Sequence, residues 1–430
     1  MLPLRLCLLI YNLLLVPGLL ILLPGAIIKM RRRGGKWADL GQRLGRLPKE
    51  RLQKLADLPK TGRRLWIHAV SVGEVGIARK LIEKLLTADP SLSIVLTTTT
   101  PTGQALAKAT EEKHSDRVVA LLNPIDFRPV VRRMLRLIAP AQLILVEAEV
   151  WPNLVTMAEA RSIPTVLVNA RLSHRSERRY HQLGFLVKPV FARLHAIILT
   201  GSIKFDPDEV PVPESQLNEL RTVLTNAGIP PNAPALLAAS THPGEEKDLA
   251  RVFLDLRARI PDLIFLLTPR HVERADEIAA ELDELGLPFI RRSDANSPVD
   301  GSPQTPCLLI DTTGELRAWQ KFARVVVVGK SFRSTGGQNP VEAVMSGAAV
   351  VFGPHMENFE AIVRALLKNG GAQQVADMGE LTEACDELLR NPELRIQMLE
   401  GGLAALSPHQ GATDRTVTRI LERQAVCTNA

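Results

Sequence analysis

Cysteine and aromatic residues are scarce in this chain. Its four cysteines, Cys7, Cys307, Cys385 and Cys427, lie far apart and form no CxxC pair. This spacing argues against a disulfide framework and a structural zinc site, and it favours a reducing compartment. Aromatic side chains make up only 4% of the 430 residues, so the cores must consist mainly of Leu, Val, Ile and Ala. At 46% hydrophobic residues, a chain of this length can bury the cores of two or more domains.

Several motifs of well-understood chemistry are missing too. No HExxH motif or DxD-type constellation stands out, so we expect no metal in the functional site. The chain has no GxSxG motif and no Cys/His pairing that would indicate a hydrolase, and it contains no P-loop or GxGxxG motif. No basic run interleaves with aromatic residues, which argues against a nucleic-acid partner. The formal net charge of +7 instead suits an anionic membrane surface, an anionic lipid or a phosphorylated substrate, unless it is scattered surface charge.

The N-terminus is the one compositional anomaly. Its apolar run is about as long as a bilayer is thick, contains a single charge at Arg5, and is followed by a positive cluster of Lys29, Arg31, Arg32, Arg33 and Lys36. A cleaved signal peptide has the reverse order of charge and apolar core. We therefore predict a membrane anchor over residues 1–36, with the body of the protein on the cytoplasmic side. Pro17 and Pro24 argue against one straight helix, so a spanning anchor and a shallow one both stay open.

From residue 64 onward, short apolar runs rich in β-branched residues alternate with amphipathic stretches of helical period. Examples of the apolar runs are "RLWIHAV", "SIVLTTTT" and "QLILVEAEV". Strands separated by helices indicate βαβ units and a parallel sheet. The series pauses at 206–216, where "DPDEVPVPESQ" has the composition of a linker, and a second α/β series follows. We therefore predict two Rossmann-like doubly wound domains, at 37–205 and 217–425.

Polar residues follow the predicted strands of the first half. Glu74 lies in a glycine-containing turn after "RLWIHAV", Glu147 and Glu149 follow "LILV", and Asn169 and Arg171 follow "TVLV". Each of them alone is more simply explained as a helix cap or a favourable first-turn charge. Because the carboxyl ends of parallel strands meet at one edge of a sheet, their convergence there favours a functional site.

The second half contains a turn that resembles an anion-binding site, "STGGQNPVEA" at 334–343. Its two glycines let the backbone approach a ligand, and Asn339 can cap a helix with Pro340 at its first position. The free N–H groups of such a helix start face an anion. Glu342, in the first turn, suits the two hydroxyls of a ribose, unless it is an ordinary first-turn acid.

Three further loops of the second half are polar: "STHPGEE", "PRHVER" and "DTTGEL". Arg270, which follows a predicted strand, suits a phosphate, although one arginine alone is a weak signal. His242 and His271 lie near acids but lack metal-ligand spacing. We interpret both as loop histidines with hydrogen-bonding roles.

Together these loops resemble those of the Kdo transferases (3-deoxy-D-manno-octulosonic acid transferases) of lipopolysaccharide assembly. The resemblance covers nearly the whole chain, and its motifs occur in the same order. They include "LGQRLGRLP", "HAVSVGEV", "TTTTPTG", "VEAEVWPNL", "NARLSHRS", "GSIKFD", "STHPGEE", "PRHVER", "DTTGEL", "GGQNPVEA" and "GPHMENF". Each motif alone is weak, but so many ordered matches are specific.

The resemblance implies the glycosyltransferase-B fold, in which two Rossmann-like domains face a cleft, anchored at the cytoplasmic face of the inner membrane. It implies transfer of Kdo from CMP-Kdo to a lipid A precursor, with inversion at the anomeric carbon and with neither a metal nor a cofactor beyond the donor. Glu74 matches the family's general base, and Glu147 and Lys204 match residues credited with stabilising the transition state. The family's CMP contacts fall on Pro269, Arg270, Thr313, Gly314, Glu315, Asn339, Pro340, Val341 and Glu342.

The chemistry of such a transfer agrees with these roles. An inverting transfer needs a base opposite the leaving phosphate and within hydrogen-bond reach of the acceptor hydroxyl. Because CMP leaves as a phosphate, it needs positive charge and helix-end N–H groups rather than a protonating acid. Two alternatives stay open: a glycosyltransferase with another nucleotide sugar or acceptor, and a degenerate sugar-nucleotide-binding membrane protein without turnover.

The chain departs from the family pattern in three places. Gln338 stands where the family usually has His, and Lys330 stands where it usually has a second Gly. At "LHAIILTGSIKFD", members usually carry another strand and helix before "KFD", and here about one such segment is absent. This shortening predicts an altered edge of the first domain next to Lys204, and it motivates the non-catalytic alternative.

Overall fold

The protein divides into two compact units, which we describe from a computed structural model. Unit 1 comprises Met1–Asp206 together with Gly411–Ala430, and unit 2 comprises Pro207–Gln410. The structure describes residues 3–32, 37–59, 63–147, 150–170, 182–206, 212–297 and 305–427. Glu149, Arg171 and residues 207–211 of the predicted linker, which were singled out in the sequence, lie outside these ranges.

A parallel sheet forms the centre of the described part of unit 1. Its strands lie in the order β3-β2-β1-β4-β5-β6, which is the strand order of a Rossmann fold. The strands are β1 (Arg64–His68), β2 (Ser93–Thr98), β3 (Val118–Leu122), β4 (Gln142–Val146), β5 (Thr165–Val168) and β6 (Ala196–Ile198). Between β1 and β4 the direction of winding reverses, and ligands of such folds bind at the carboxyl ends of the strands beside this reversal.

Helices cover both faces of this sheet. The helices of unit 1 before residue 206 are α1 (Leu4–Arg32), α2 (Trp37–Arg43), α3 (Lys49–Asp57), α4 (Val72–Ala88), α5 (Pro101–Lys113), α6 (Arg128–Ile138), α7 (Pro152–Glu159) and α8 (Gly184–Phe191). Alternate residues of β1 enter different cores, Leu65 and Ile67 on one face and Trp66 on the other. A strand buried on both faces explains the continuous apolar runs in the sequence.

Unit 2 repeats this architecture with a second parallel sheet, whose order is β13-β12-β11-β7-β8-β10-β9. Its strands are β7 (Ala235–Thr241), β8 (Ile264–Pro269), β9 (Phe289–Arg291), β10 (Cys307–Leu309), β11 (Val325–Val328), β12 (Ala349–Phe352) and β13 (Gln373–Gln374). Its helices are α9 (Glu214–Asn226), α10 (Glu245–Arg259), α11 (Ala275–Glu284), α12 (Leu316–Gln320), α13 (Val341–Ser346), α14 (Glu360–Lys368), α15 (Met378–Arg390) and α16 (Pro392–Leu406). Here the winding reverses at β7, between β8 and β11.

The last helix, α17 (Ala412–Cys427), packs on unit 1, which corrects the predicted end of the second domain at residue 425. Asp206 binds the start of this helix, because its carboxylate accepts from the N–H groups of Gly411 at 2.8 Å and Thr413 at 2.7 Å. Ile420 of the helix enters the core of unit 1. The predicted linker is corrected as well, since α9 already begins at Glu214, inside the interval 206–216.

Helix α1 runs without interruption through Pro17 and Pro24. Its window Leu4–Ile21 is long and apolar enough to cross a membrane, with a mean hydropathy of 2.1 and only 6% of its residues buried. Tyr11 and Asn12 are among the side chains that attach it to the rest of unit 1. The Tyr11 hydroxyl donates to Asp126 at 2.9 Å, and the amide of Asn12 lies against that of Asn153 at 2.9 and 3.1 Å.

Candidate functional site

Glu74 occupies the third position of α4 and closes a capping box with Ser71. Its carboxylate accepts from the N–H of Val70 at 2.8 Å and from the N–H of Ser71 at 3.3 Å, while its own N–H donates to the Ser71 hydroxyl. The residue is only 6% exposed. A carboxylate has about four acceptor positions, so these two contacts orient the group and leave capacity for a further donor. The capping interpretation is therefore correct, and it does not exclude a chemical role.

Glu147 follows β4 directly, beside β1, so it lies at the reversal of winding that also positions Glu74. Its backbone has φ +61, a conformation that is uncommon for residues other than glycine. Backbone strain of this kind is typical of functional sites. Oε1 of Glu147 lies 3.5 Å from the side-chain amide of Asn169, which follows β5 and has φ +51.

Lys204 lies in the 3-10 turn Ile203–Phe205, just after β6. The N–H of Ile203 donates to Oδ1 of Asn169 at 2.8 Å, so the asparagine that contacts Glu147 also holds this turn. The Lys204 ammonium lies 5.8 Å from the centre of the Phe205 ring. Asp206, next in the chain, accepts from Gly411 and Thr413, as described above. The turn is thus held on one side by Asn169 and on the other by the start of α17.

In unit 2, Glu245 organises the loops beside the reversal of winding. It is completely buried and accepts four backbone hydrogen bonds of 2.7 to 3.1 Å, from the N–H groups of His242, Lys330, Ser331 and Phe332. Four donors satisfy the capacity of one carboxylate. Glu245 therefore fixes the loop after β7 to the loop after β11, which are neighbouring strands of the sheet.

The same loops bring together four polar side chains whose proximity the sequence did not reveal. His242 and Gln338 are hydrogen bonded at 3.0 Å, and the rings of His242 and His271 lie edge to face at 5.9 Å. Burial, together with the charge of Lys330, lowers the pKa of His242. A neutral imidazole can donate through one nitrogen and accept through the other. The signal was the position of His242, His271 and Lys330 just after the strands β7, β8 and β11.

The glycine pair of the predicted anion-binding turn packs against protein. A Cβ on Gly336 would meet Nδ2 of Asn358 at 2.5 Å, and one on Gly337 would meet the Met356 sulfur. Both glycines also have positive φ, at +114 and +66. The space that we predicted for a ligand's approach to the glycines is therefore filled, on the Cβ side, by the "HMEN" loop. Asn339 accepts from the N–H of Val341 at 3.2 Å, but α13 begins at Val341 with Pro340 as its N-cap residue, so the predicted cap position is wrong by one residue.

Glu315 is engaged within unit 2. Arg292 binds both of its carboxylate oxygens, at 2.9 and 3.2 Å, and Thr312 and Trp319 donate to Oε2. Its carboxylate is therefore a structural centre of this loop. The neighbouring residues Thr313 and Gly314 are exposed.

The other residues expected to contact a nucleotide differ in accessibility. Arg270 and Glu342 are exposed, Asn339 is half-buried, and Pro269, Pro340 and Val341 are buried. Among the described residues, the guanidinium of Arg270 forms no ion pair. In those same ranges, no group of three or more His, Cys, Asp and Glu side chains has a geometry that would hold a metal ion.

Comparison with known proteins identifies the family of the chain. Residues 38–204 match the family of 3-deoxy-D-manno-octulosonic-acid transferases (kdotransferases). The chain is 35% identical to the 3-deoxy-D-manno-octulosonic acid transferase of Bordetella pertussis, an alignment that covers 90% of this chain and 93% of the relative. It belongs to the Kdo transferase family. Members of this family are glycosyltransferases, and the predicted family is confirmed.

Two further similarities agree with this assignment. The 3-deoxy-D-manno-octulosonic acid transferase of Haemophilus influenzae is 32% identical, over 82% of this chain and 85% of the relative. The crystal structure of a glycosyltransferase from Rickettsia africae has a TM-score of 0.52 at 12% identity, and it matches 84% of this chain and 98% of that structure. The structural likeness shows the α/β fold with parallel sheets that glycosyltransferases of type B share.

Proposed function

We propose that this Kdo transferase moves Kdo from CMP-Kdo to a lipid A precursor with inversion, and that Glu74 is the general base. The reaction rests on family membership over nearly the whole length of the relatives. The role of Glu74 rests on one observation, a buried carboxylate oriented by two backbone N–H groups at the carboxyl end of β1. Carboxyl ends beside a reversal of winding are where α/β folds bind their ligands.

In the proposed reaction, a hydroxyl oxygen of the acceptor attacks the anomeric carbon of Kdo while the bond from that carbon to the phosphate oxygen of CMP breaks. CMP leaves with the electron pair, and Glu74 takes the proton of the hydroxyl. Glu147 and Lys204 stabilise the charge that develops during the transfer. Asn169 supports this assignment, because its one side chain contacts Glu147 and holds the turn that carries Lys204.

On the donor side, we propose that CMP binds at the carboxyl ends of β7, β8 and β11 in unit 2. Arg270 and the backbone of the turn at Asn339–Glu342 bind its phosphate and ribose. At Thr313, Gly314 and Glu315, CMP contacts backbone groups or the Thr313 side chain. The Glu315 carboxylate does not take part, because Arg292 already binds it. Lys330 and His242 lie beside this site and add positive charge and a hydrogen-bond donor.

We propose that α1 anchors the protein to the inner membrane, with both units on the cytoplasmic side. The exposure and hydropathy of Leu4–Ile21 support an anchor. The positive cluster that follows the apolar run supports the cytoplasmic orientation, because Lys and Arg are retained on that side. A lipid acceptor then reaches the enzyme from the bilayer surface.

The decisive experiment is a transfer assay with membranes that contain the full-length protein. They are incubated with CMP-Kdo and lipid IVA, and the lipid products are analysed by mass spectrometry. We expect Kdo addition by the wild type and a loss of roughly 10²- to 10⁴-fold with Glu74→Gln, which keeps the size of the side chain and one of its two acceptor oxygens. Transfer by Glu74→Gln at the wild-type rate would show that another group is the base.

Thermal unfolding with added nucleotides, combined with this assay, separates the alternatives. If CMP raises the melting temperature of the protein but no Kdo reaches the lipid, the protein is a sugar-nucleotide binder without turnover. If UDP or GDP, rather than CMP, raises the melting temperature, the donor is another nucleotide sugar.

A further inference from the structure

Unit 1 has an open groove of about 780 Å³ between α1 and α6, and its lining includes none of the candidate catalytic residues. We call it the arginine groove. Its lining includes Arg5 and Leu9 from α1, and Phe127, Arg128, Arg132 and Arg136 from the start and body of α6. Four guanidinium groups thus surround one concave surface.

The arginines of α6 share one face of the helix, because Arg128, Arg132 and Arg136 are spaced by four residues. Like charges at this spacing repel one another unless an anion lies between them. No described residue forms an ion pair or hydrogen bond with the guanidinium group of these three or of Arg5. Their arrangement is typical of a site for a phosphate, the anion that arginine binds best with two parallel hydrogen bonds.

The groove also has an apolar part that leads onto the exposed surface of α1. Leu9 is 55% exposed and Phe127 is 39% exposed. Leu13 and Leu20 continue the exposed apolar surface along α1, at 64% and 68%. An anionic head group among the arginines would therefore have its acyl chains beside the helix that contains the apolar window.

We infer that the arginine groove binds the phosphate head group of an anionic glycerophospholipid of the membrane. The direction of α6 favours such a lipid over the acceptor. Arg128 follows the carboxyl end of β3, and a rise of about 1.5 Å per residue places Arg132 and Arg136 about 6 and 12 Å further along the helix. The site therefore extends away from the sheet edge that carries Glu74 and towards the N-terminal end of α1.

The test uses the full-length protein in dodecyl maltoside and measures lipid retention by native mass spectrometry. Phosphatidylglycerol is the anionic probe, and phosphatidylcholine with the same acyl chains is the neutral one. We expect preferential retention of phosphatidylglycerol by the wild type. Because each basic residue contributes roughly a fivefold factor in affinity, Arg132→Gln should weaken this retention roughly fivefold and Arg132→Gln/Arg136→Gln roughly 25-fold. The matched control is Arg133→Gln, which removes the same charge from the same helix but faces Gly45 rather than the groove.

Three results would overturn the inference. The first is equal retention of both lipids by the wild type, and the second is an equal loss with Arg133→Gln, which would indicate unspecific charge attraction. The third is unchanged retention of phosphatidylglycerol in the double variant together with a raised KM for the lipid acceptor, which would assign the groove to the acceptor. Arg132→Lys/Arg136→Lys keeps the charge but loses the paired hydrogen bonds, so it should retain more phosphatidylglycerol than the double Gln variant and less than the wild type, which controls for damage to the fold. Lipid retention is independent of Kdo transfer, so a failure of the proposed reaction would leave this result interpretable.

Discussion

Asn169 and Ile203 are joined by a hydrogen bond of 2.8 Å between the N–H of Ile203 and the asparagine Oδ1. The amide group of the same asparagine lies 3.5 Å from Oε1 of Glu147. Ile203 begins the turn that carries Lys204. A single side chain therefore connects the end of β4 to the loop after β6, and it sets the positions of two residues that we propose to be catalytic.

We expect Asn169→Gly to lower kcat roughly 10- to 100-fold. Glycine tolerates the positive φ of this position, so the substitution removes the side chain without adding backbone strain. It also leaves the buried N–H of Ile203 without its acceptor, at a cost of about 1–3 kcal/mol in the free energy of unfolding. Steady-state kinetics and thermal unfolding measure the two effects.

Asn169→Asp is the matched variant, because it keeps the oxygen that accepts from Ile203 and loses only the donor to Glu147. Its stability should exceed that of Asn169→Gly, while kcat falls because two acids then face each other. Wild-type kcat in both variants would contradict a positioning role for Asn169.

Glu74 and Ser71 allow the capping and catalytic roles to be separated. Ser71→Ala breaks the capping box at the serine and should lower the free energy of unfolding by about 1 kcal/mol, with transfer activity reduced at most severalfold. Glu74→Gln keeps only one acceptor oxygen for the N–H groups of Val70 and Ser71, so it should lower the free energy of unfolding by a similar amount, about 1 kcal/mol, but it should abolish most of the activity. Transfer rates and melting temperatures of the two variants decide the matter, and equal loss of activity in both would mean that Glu74 acts through the fold alone.

Arg270 and Arg274 lie in one loop, but we expect substitution of Arg270 to affect CMP binding and substitution of Arg274 to affect stability. Arg270→Gln should weaken CMP binding roughly tenfold or more, seen as a smaller CMP-induced rise in melting temperature, because charged hydrogen bonds to a phosphate are lost. Its melting temperature without CMP should stay near the wild-type value.

Arg274→Gln should instead destabilise unit 2 by about 3 kcal/mol, because Arg274 pairs at 2.7 Å with Glu246, which is completely buried. The CMP-induced shift should survive wherever the variant folds. A loss of CMP binding with Arg274→Gln but not with Arg270→Gln would refute the proposed phosphate contact.

His68 predicts an acid limit to stability. It is completely buried on β1, with Nδ1 at 2.9 Å from the Thr97 hydroxyl, and burial lowers its pKa to about 3. The unfolded chain binds a proton below the ordinary pKa of 6.5, whereas the folded protein excludes it. Above pH 6.5, neutral His68 therefore costs the folded protein no stability. As the pH decreases from 6.5 towards 3, the free energy of unfolding falls by about 1.4 kcal/mol per pH unit.

Urea unfolding at pH 6.5 and 5.5 measures this slope. Between these two pH values, the wild type should lose about 1 kcal/mol more of its unfolding free energy than His68→Gln, whose side chain cannot titrate. The difference is smaller than about 1.4 kcal/mol because proton uptake by the unfolded chain is still partial near the pKa. Identical losses in the variant and the wild type would exclude His68 as the cause.

Local sequence patterns predicted much of the fold. Continuous apolar runs such as "QLILV" became strands buried on both faces, because only a sheet covered by helices on both sides accommodates them. The spacing of Ser71 and Glu74 corresponds to a capping box, whose hydrogen bonds lie within a few residues of the chain. The long apolar run predicted a membrane anchor at the N-terminus, although it did not reveal that α1 continues through Pro17 and Pro24.

Long-range contacts decided the rest. Glu245 binds the N–H groups of residues about 85 positions further along the chain, and Asp206 binds the start of a helix more than 200 positions away. Neither contact has a periodic pattern, because partners that meet only in the folded chain leave no regular spacing. By itself the sequence therefore determined the strands, the helices and the loops that follow each strand. Only the tertiary structure decided that Asn169 joins Glu147 to the Lys204 turn, that Arg292 binds the Glu315 carboxylate, and that the last helix packs on unit 1.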